Sequence, residues 1–399
     1  MNQRGLIILA LALVPFSLGL ILIKPNLAEH ARTSLLPMMD KTPLPDLLSL
    51  EVQSIAQKSV KLEGHNEQWD KVFRKYQETH DFNGNVLIAN QGKIVHVGSY
   101  GFANHRTKDS LHMGSVFQLA SVSKTITAAA VMMLYEEKLL DFDKPVKKYF
   151  PQWPYKEMTV RHLLNHRSGL QRYDALSNNY WDRNKFMNYE DVLQMYVDTK
   201  PGLFFDPGSK FDYSNSNYAI LAALVSDIAR QPFEDFVQER IFDRLGMQDS
   251  YFANHLERLK KDNHTVGYKY MRGKFRNAGG DHVDGVMGDK GLHATIRDLY
   301  LFDQALYGNA LLKQTTLSEA FTPASRKEGY NNYGFGFRLK SHILGLAYHF
   351  GWWRGYRTCF IRDIQAEQTI IILSNHDHPG KIINYWDIYK KMNKLSVES

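Results

Sequence analysis

The chain has 399 residues, of which 44% are hydrophobic and 23% are charged, as is typical of a folded protein with a sizeable core. This composition excludes a largely disordered chain. The single cysteine, Cys359, excludes an internal disulfide and a zinc finger built from cysteines. The net charge is +7, but adjacent basic residues never form more than a short doublet. We therefore expect a mildly basic surface near an anionic cell envelope and no nucleic-acid partner.

An apolar run near the N-terminus predicts export. It extends over 19 residues from Gly5 to Ile23 and is long enough for about one bilayer crossing. No clear small-x-small cleavage site follows it, so the sequence leaves two alternatives open. The run is either a membrane anchor facing the periplasm or cell exterior, or a cleaved signal peptide that leaves a secreted or periplasmic protein. The predicted organisation is a signal or anchor over residues 1–24, a tether over 25–67 and a folded domain over 68–399.

Strand patterns occur at both ends of the predicted folded domain. Val86–Asn90 and Lys93–Tyr100 flank Gln91-Gly92, and two β-rich runs around a two-residue glycine turn predict a β-hairpin. Four further strands are predicted near the C-terminus: Phe335–Leu339, Leu346–Phe350, Tyr356–Ile361 and Thr369–Leu373. A last helix is predicted after them, over Ile382–Met392.

Helical patterns fill the middle of the chain. Thr125–Leu134 is apolar on nearly every face, which predicts a fully buried helix. Thr159 is placed to cap the next helix, and Thr295 with Asp298 resembles a capping box that opens a helix through Leu306. Two more helices are predicted over Tyr218–Ile228 and Phe233–Ile241. Strands at both ends must meet in one sheet, so we predict an α+β fold: an antiparallel sheet flanked by helices, with a helical subdomain inserted at about residues 140–290.

The local pattern that points most directly to chemistry is Ser121-Val122-Ser123-Lys124 at the start of the buried helix. Residues three apart share a helix face, so the Lys124 amine is expected beside the Ser121 hydroxyl. A desolvated lysine favours its neutral form and can activate a serine nucleophile. Since roughly one or two Ser-x-x-Lys matches are expected by chance, the motif needs support from its context.

Two other segments supply that context. Tyr213-Ser214-Asn215 lies in a turn that leads into a helix; a tyrosine beside a lysine can relay protons, and an asparagine can bind a substrate amide. His349-Phe350-Gly351-Trp352 closes a predicted strand, whose edge could offer a backbone N–H and pair with an extended substrate. Each segment alone also fits an ordinary role, as a capped surface loop and as half-buried aromatic packing.

Together these segments resemble the β-lactamase-related serine hydrolases, which include class C β-lactamases, penicillin-binding DD-peptidases and esterases. The resemblance extends from about Phe82 to about Asn375. It rests on ordered matches that begin with Phe117–Thr125 and continue through Thr159–Leu170, Asp212–Tyr218, Leu245-Gly246-Met247 and Gly288–Leu299. Several motifs in the right order are far more specific than any one of them.

The resemblance implies a β-lactamase/transpeptidase-like fold and an acyl-enzyme mechanism. Ser121 would attack a carbonyl carbon while Lys124 and Tyr213 share the proton transfers. The resemblance also assigns substrate-binding roles. Asn215 would hold the substrate amide or the lysine, and the backbone N–H groups of Ser121 and Trp352 would form the oxyanion hole.

The third motif departs from the pattern in many β-lactamases and DD-peptidases, which is Lys-Thr-Gly or His-Thr-Gly. Phe350 replaces the hydroxyl residue, and His349 is the only candidate cation within the motif. This departure puts penicillinase activity in doubt and makes esters or short peptides more plausible substrates. The predicted substrate-binding residues are Asn215, His349, Gly351 and Trp352.

The predicted function is an exported serine hydrolase acting on an ester or amide of a small molecule or short peptide. Alternatives are a D-Ala-D-Ala carboxypeptidase, a β-lactamase proper, or a non-catalytic envelope protein that binds peptidoglycan peptides. No cofactor, metal ion or obligate protein partner is predicted. His162 and His166 are spaced like metal ligands, but Leu163 occupies the position where a zinc protease needs glutamate.

Overall fold

The computed structural model describes residues 60–254, 263–324, 332–340, 343 and 345–397. The predicted signal or anchor over residues 1–24 lies outside them, as does most of the predicted tether. Within the described ranges, no helix combines the length and apolarity that a bilayer crossing requires.

A seven-stranded antiparallel sheet forms the centre of the fold and joins both ends of the domain. Its strands, in spatial order, are β10 (Asn332–Tyr333), β11 (Arg338–Leu339), β12 (Leu346–Trp353), β13 (Tyr356–Asp363), β14 (Gln368–Ser374), β1 (Gly84–Asn90) and β2 (Lys93–Tyr100). The contact between the two ends is the β1–β14 pair, in which Leu87 faces Ile371. The predicted α+β fold and the predicted N-terminal hairpin are therefore confirmed.

Helices cover both faces of this sheet because successive side chains of a strand point to opposite faces. On β1, Val86 and Ile88 pack against α1 (Glu67–His80) and α10 (Tyr385–Val397). Leu87 and Ala89 face the larger core, which contains α2 (Ser123–Glu136). Successive residues of β1 thus belong alternately to the smaller and the larger core.

The larger core also holds the helices of the middle region. These are α3 (Val160–Leu164), α4 (Tyr173–Tyr180), α5 (Tyr189–Thr199), α6 (Asn215–Ala229), α7 (Phe233–Val237), α8 (Ile296–Ala305) and α9 (Gln314–Ala320). Short strands lie between or beside them: β3 (Phe102–Asn104), β4 (Asp109–Ser110), β5 (Phe117–Gln118), β6 (Tyr251–Phe252), β7 (Tyr268–Met271), β8 (Lys274–Asn277), β9 (Leu292–Ala294) and β15 (His376–Asp377). The β7–β8 hairpin falls inside the predicted helical subdomain.

Two details of the sequence-based prediction are wrong. Phe335–Leu339 is not one strand: Phe335 and Phe337 are buried as alternation predicts, but the chain turns at Gly336, where φ is +79°. Thr295 accepts the Asp298 backbone N–H as expected, but the Asp298 carboxylate accepts from the Asp249 N–H and the Ser250 hydroxyl. The reciprocal half of that capping box is therefore replaced by contacts to a distant loop.

Candidate active site

Ser121 lies in a single 3₁₀ turn, Ala120–Val122, that leads directly into α2. The backbone before this turn is fixed on two sides. The N–H of Leu119 donates to the Leu292 carbonyl at 2.8 Å, and the Leu119 carbonyl accepts from the Thr358 hydroxyl at 2.7 Å. Ala120 has φ of +50°, a conformation that costs an alanine on the order of 1 kcal/mol. The chain thus holds a strained residue immediately before the predicted nucleophile.

Lys124 lies beside Ser121, as their spacing predicts. Its side chain is fully buried, and its Nζ is 3.3 Å from Ser121 Oγ. The same nitrogen donates to Asn215 Oδ1 at 2.9 Å and to the Asp289 carbonyl oxygen at 2.7 Å. The two carbonyl-type acceptors bind two N–H groups, and the third valence of the nitrogen is directed toward the serine.

Asn215 contacts the lysine through its side-chain carbonyl. It is the first residue of α6, which begins three residues earlier than the sequence predicts. Of the two roles expected for Asn215, holding the lysine is the one that this contact fits.

Tyr213 joins the site from the loop before α6. Its ring centre lies 5.1 Å from Lys124 Nζ and 4.8 Å from Cζ of Arg338, so two basic side chains face one ring. The phenol oxygen is buried and has no hydrogen-bond partner in the described part of the chain. A buried hydroxyl without a partner among the described residues, on a ring next to the Lys124 amine, could exchange a proton with a bound substrate.

The end of β12 closely approaches the Ala120–Val122 turn, which holds the predicted nucleophile Ser121 and is called the nucleophile turn below. A Cβ on Gly351 would lie 2.4 Å from the Leu119 carbonyl oxygen and 3.0 Å from the Ala120 Cβ, so only glycine allows this approach. The neighbouring strand β11 pairs with β12 only at Tyr348 and Ala347. Beyond them, this side of β12 has no paired strand among the described residues.

The hairpin register determines where the Trp352 amide points. Trp353 and Tyr356 close a two-residue turn in which Arg354 and Gly355 have φ of +45° and +85°. Such a turn is closed by a hydrogen-bonded pair, so the next pair, Trp352 with Arg357, is non-hydrogen-bonded. The Trp352 N–H therefore points away from β13, toward the open edge.

His349 is buried and neutral. Its Nδ1 donates to the Phe350 carbonyl at 2.9 Å, so its Nε2 accepts from the Tyr333 hydroxyl at 2.9 Å. Burial lowers the pKa of His349 well below its ordinary value, and the charges of Arg338 and Lys124 lower it further. His349 is thus not placed to act as the cation of the third motif.

The cation at this position is Arg338 on β11, which the sequence analysis missed. Its guanidinium is half-buried between the rings of Tyr213 and Tyr333, and no carboxylate pairs with it among the described residues. Only its position after Gly334-Phe335-Gly336-Phe337 could have drawn attention to it, as one charge in an apolar segment.

The two histidines that are spaced like metal ligands have protein partners, as does Asp281 further along the chain. His162 Nδ1 accepts the Thr159 N–H, and His166 Nδ1 contacts the Asn217 amide at 2.9 Å. Asp281 pairs with Arg354. In the described ranges, no three histidine, cysteine or acidic side chains converge as metal ligands would.

The family model described as Beta-lactamase matches residues 69–389, which is most of the chain. The chain belongs to the β-lactamase family. Penicillin-binding protein 4* of Bacillus subtilis (strain 168) is 33% identical over 319 residues, covering 77% of this chain and 71% of that protein. A D-aminopeptidase of Brucella anthropi is 27% identical over 69% of this chain but only 52% of its own length.

Solved structures support the β-lactamase-family fold. A penicillin-binding protein from Bacillus halodurans aligns with TM-score 0.69 and 22% identity, covering 81% of this chain and 98% of that one. The D-amino acid amidase of Ochrobactrum anthropi SV3 aligns with TM-score 0.63 and 23% identity, covering 82% and 91%. At these identities the likeness shows the fold alone. The family as a whole comprises serine hydrolases, so the chain has the scaffold of a hydrolase.

Proposed function

We propose that this protein is an exported serine hydrolase that cleaves an amide or ester through an acyl-enzyme on Ser121. The observation that carries the proposal is the set of three contacts of Lys124. With Nζ bound to Asn215 Oδ1 and to the Asp289 carbonyl, a neutral amine has one lone pair left, and that lone pair faces Ser121 Oγ. Export rests on the apolar run from Gly5 to Ile23.

In the proposed acylation, Ser121 Oγ forms a bond to the substrate carbonyl carbon while its proton passes to Lys124. The carbonyl oxygen takes the negative charge between the N–H groups of Ser121 and Trp352. Tyr213 gives its phenol proton to the leaving amine or alcohol, and the bond to that group breaks. Tyr213 then recovers a proton from Lys124, which restores both groups.

Deacylation uses the same residues in reverse. Water adds to the acyl carbon and loses a proton to the Tyr213–Lys124 pair. The ester bond to Ser121 breaks, and Ser121 recovers its proton. Because the lysine is fully buried, each transfer takes place in a low-dielectric site where positioned donors are most effective.

Arg338 points to the substrate class. An arginine that pairs with no carboxylate among the described residues, half-buried against the tyrosine of the site, is suited to bind a planar carboxylate with two hydrogen bonds. We therefore propose a substrate that carries a free carboxylate near the scissile bond, such as a short peptide. Relatives named as penicillin-binding proteins and D-aminopeptidases favour an amide over an ester and a D-configured residue at that bond.

The test is active-site labelling of the purified folded protein. A neutral fluorophosphonate should modify Ser121, and Ser121→Ala should abolish labelling. Ser123→Ala is the matched control, since Ser123 is buried two residues away with its hydroxyl bonded to the Ala120 carbonyl at 2.7 Å. The Ser123→Ala variant should still be labelled on Ser121. An adduct on Ser123, or none on the folded wild type, would refute the proposed nucleophile.

The substrate is tested with matched peptides that end in D-Ala-D-Ala or in its C-terminal amide, and with nitrophenyl esters. Release of D-alanine from the acid alone supports the proposed class. Turnover of esters alone would replace the peptide by an ester substrate. A labelled penicillin in parallel reports whether a β-lactam acylates Ser121.

A further inference from the structure

Next to the catalytic lysine lies a second buried lysine that the proposed reaction does not use. Lys290 and Asp289 are 2% and 0% exposed, and Lys290 Nζ is 3.4 Å from both carboxylate oxygens of Asp289. The same nitrogen donates to the Tyr173 hydroxyl, which in turn donates to Asp289 Oδ2 at 3.1 Å. The three side chains form a closed polar cluster.

The backbone of this cluster runs along the nucleophile helix. The Gly288 carbonyl accepts from the Thr127 hydroxyl at 2.7 Å, and the Asp289 carbonyl accepts from Lys124 at 2.7 Å. Three residues after Asp289, the Leu292 carbonyl accepts the Leu119 N–H at 2.8 Å. The carbonyl that orients Lys124 thus belongs to the same residue whose side chain is held by Lys290.

We propose that Asp289 and Lys290 form a buried ion pair that positions the Asp289 carbonyl against Lys124 and balances the charge around it, so that Lys124 can alternate between ammonium and amine. This inference rests on the proposed function. Asp289 and Lys290 act through Lys124 and are positioning residues.

Two opposed charges next to a base have opposite effects on it. The Lys290 ammonium disfavours a proton on Lys124, and the Asp289 carboxylate favours one. The coupling is mutual, since the charge of Lys124 contributes to lowering the pKa of Lys290, after burial as the main cause. Alone, either charge would bias the protonation of Lys124, and the opposite charge beside it counteracts that bias.

Other charged and titratable groups surround the two lysines, and the three variants below that change Asp289, Lys290 or both leave all of them in place. On the side of Tyr213 these groups are His166, Tyr218, Tyr333, Arg338 and His349. Around Lys290 they are Tyr173, Asp281, Asp284 and Arg354.

The experiment measures the rate of Ser121 modification by a neutral fluorophosphonate from about pH 5 to 10, which reports the protonation of the base without a charged substrate. In Lys290→Met, Asp289 is left unbalanced, and the acidic limb should move up by about one pH unit. In Asp289→Asn, Lys290 is left unbalanced, and the limb should move down by a similar amount. The double variant should return toward the wild-type position.

Each single variant leaves an uncompensated buried charge and could unfold. The double variant removes both charges, so the pH position of its acidic limb can still be compared with that of the wild type. Circular dichroism and thermal melting identify folded samples. Tyr173→Phe is the matched neutral control, because it removes two hydrogen bonds of the cluster and no charge. The acidic limb of this variant should stay in place whatever its rate.

Opposite shifts with recovery in the double variant support the proposal. Equal rate losses with an unmoved limb in the folded variants, the double variant included, would overturn it and leave the cluster a structural role. If the wild type itself is not modified at Ser121, the proposed function fails first and this inference fails with it.

Discussion

The guanidinium of Arg338 lies over the ring of Tyr213, with Cζ 4.8 Å from the ring centre. This contact joins the group that would recognise the substrate to a group that would move protons. It also places a permanent cation beside the phenol that would transfer protons in the proposed reaction. Binding and chemistry therefore share one electrostatic environment.

Removing the base or the relay should abolish most activity. Lys124→Ala and Tyr213→Phe are each expected to lower kcat more than about a hundredfold, the range for losing acid–base assistance. The double variant should be little worse than either, because the two act as a unit. Tyr135→Phe, at the far end of α2, is the control and should keep wild-type turnover. Fully multiplicative losses would assign the two residues to separate steps.

Replacing Arg338 should change selectivity more than turnover. Arg338→Gln is expected to lower kcat/KM for a substrate with a free carboxylate about 10- to 100-fold, the cost of losing a charge-assisted bidentate contact. The matched methyl ester should lose far less. Arg276→Gln, on the exposed edge of β8, removes the same charge elsewhere and should leave both values unchanged. Equal losses for acid and ester would show that Arg338 serves only Tyr213.

The preference for acid over ester should not depend on the charge of His349. A free histidine loses its proton near about pH 6.5, and a cation there would make the kcat/KM ratio fall as pH rises. Burial lowers the pKa of His349 well below that value, so it stays neutral from about pH 5.5 to 8 and the ratio should be flat. His349→Gln should leave it flat. A falling wild-type ratio that this variant abolishes would restore His349 as the carboxylate partner.

Adding one methyl group at Gly351 should impair acylation. Because a Cβ there would lie 2.4 Å from the Leu119 carbonyl, Gly351→Ala must displace either β12 or the nucleophile turn. We expect at least a tenfold slower modification of Ser121 by fluorophosphonate, since small displacements of reacting groups are costly. Gly202→Ala is the control, as its Cβ would meet no atom within 4 Å. Unchanged labelling of Gly351→Ala would show that the strand edge does not contribute.

The sequence alone was enough for features that depend on neighbours along the chain. Ser121 and Lys124 are three residues apart at a helix start, so local geometry brings them together. The hairpin of β1 and β2 follows from its glycine turn, and the cap on α3 follows from Thr159. Strand patterns at both ends also required a shared sheet, which is the observed topology.

Tertiary structure decided what depends on distant segments and on the backbone. The Asp289 carbonyl accepts a hydrogen bond from Lys124. Because every residue has a main-chain carbonyl, the amino-acid sequence does not indicate which one contacts the lysine. Gly336 interrupts a pattern that alternates like a strand, because its N–H bonds the Tyr218 hydroxyl and a Cβ there would collide with α2. That turn separates β10 from β11 and sets Arg338 over Tyr213. Burial then left His349 neutral and Arg338 as the cation, because only the folded environment distinguishes a histidine that can hold a proton from one that cannot.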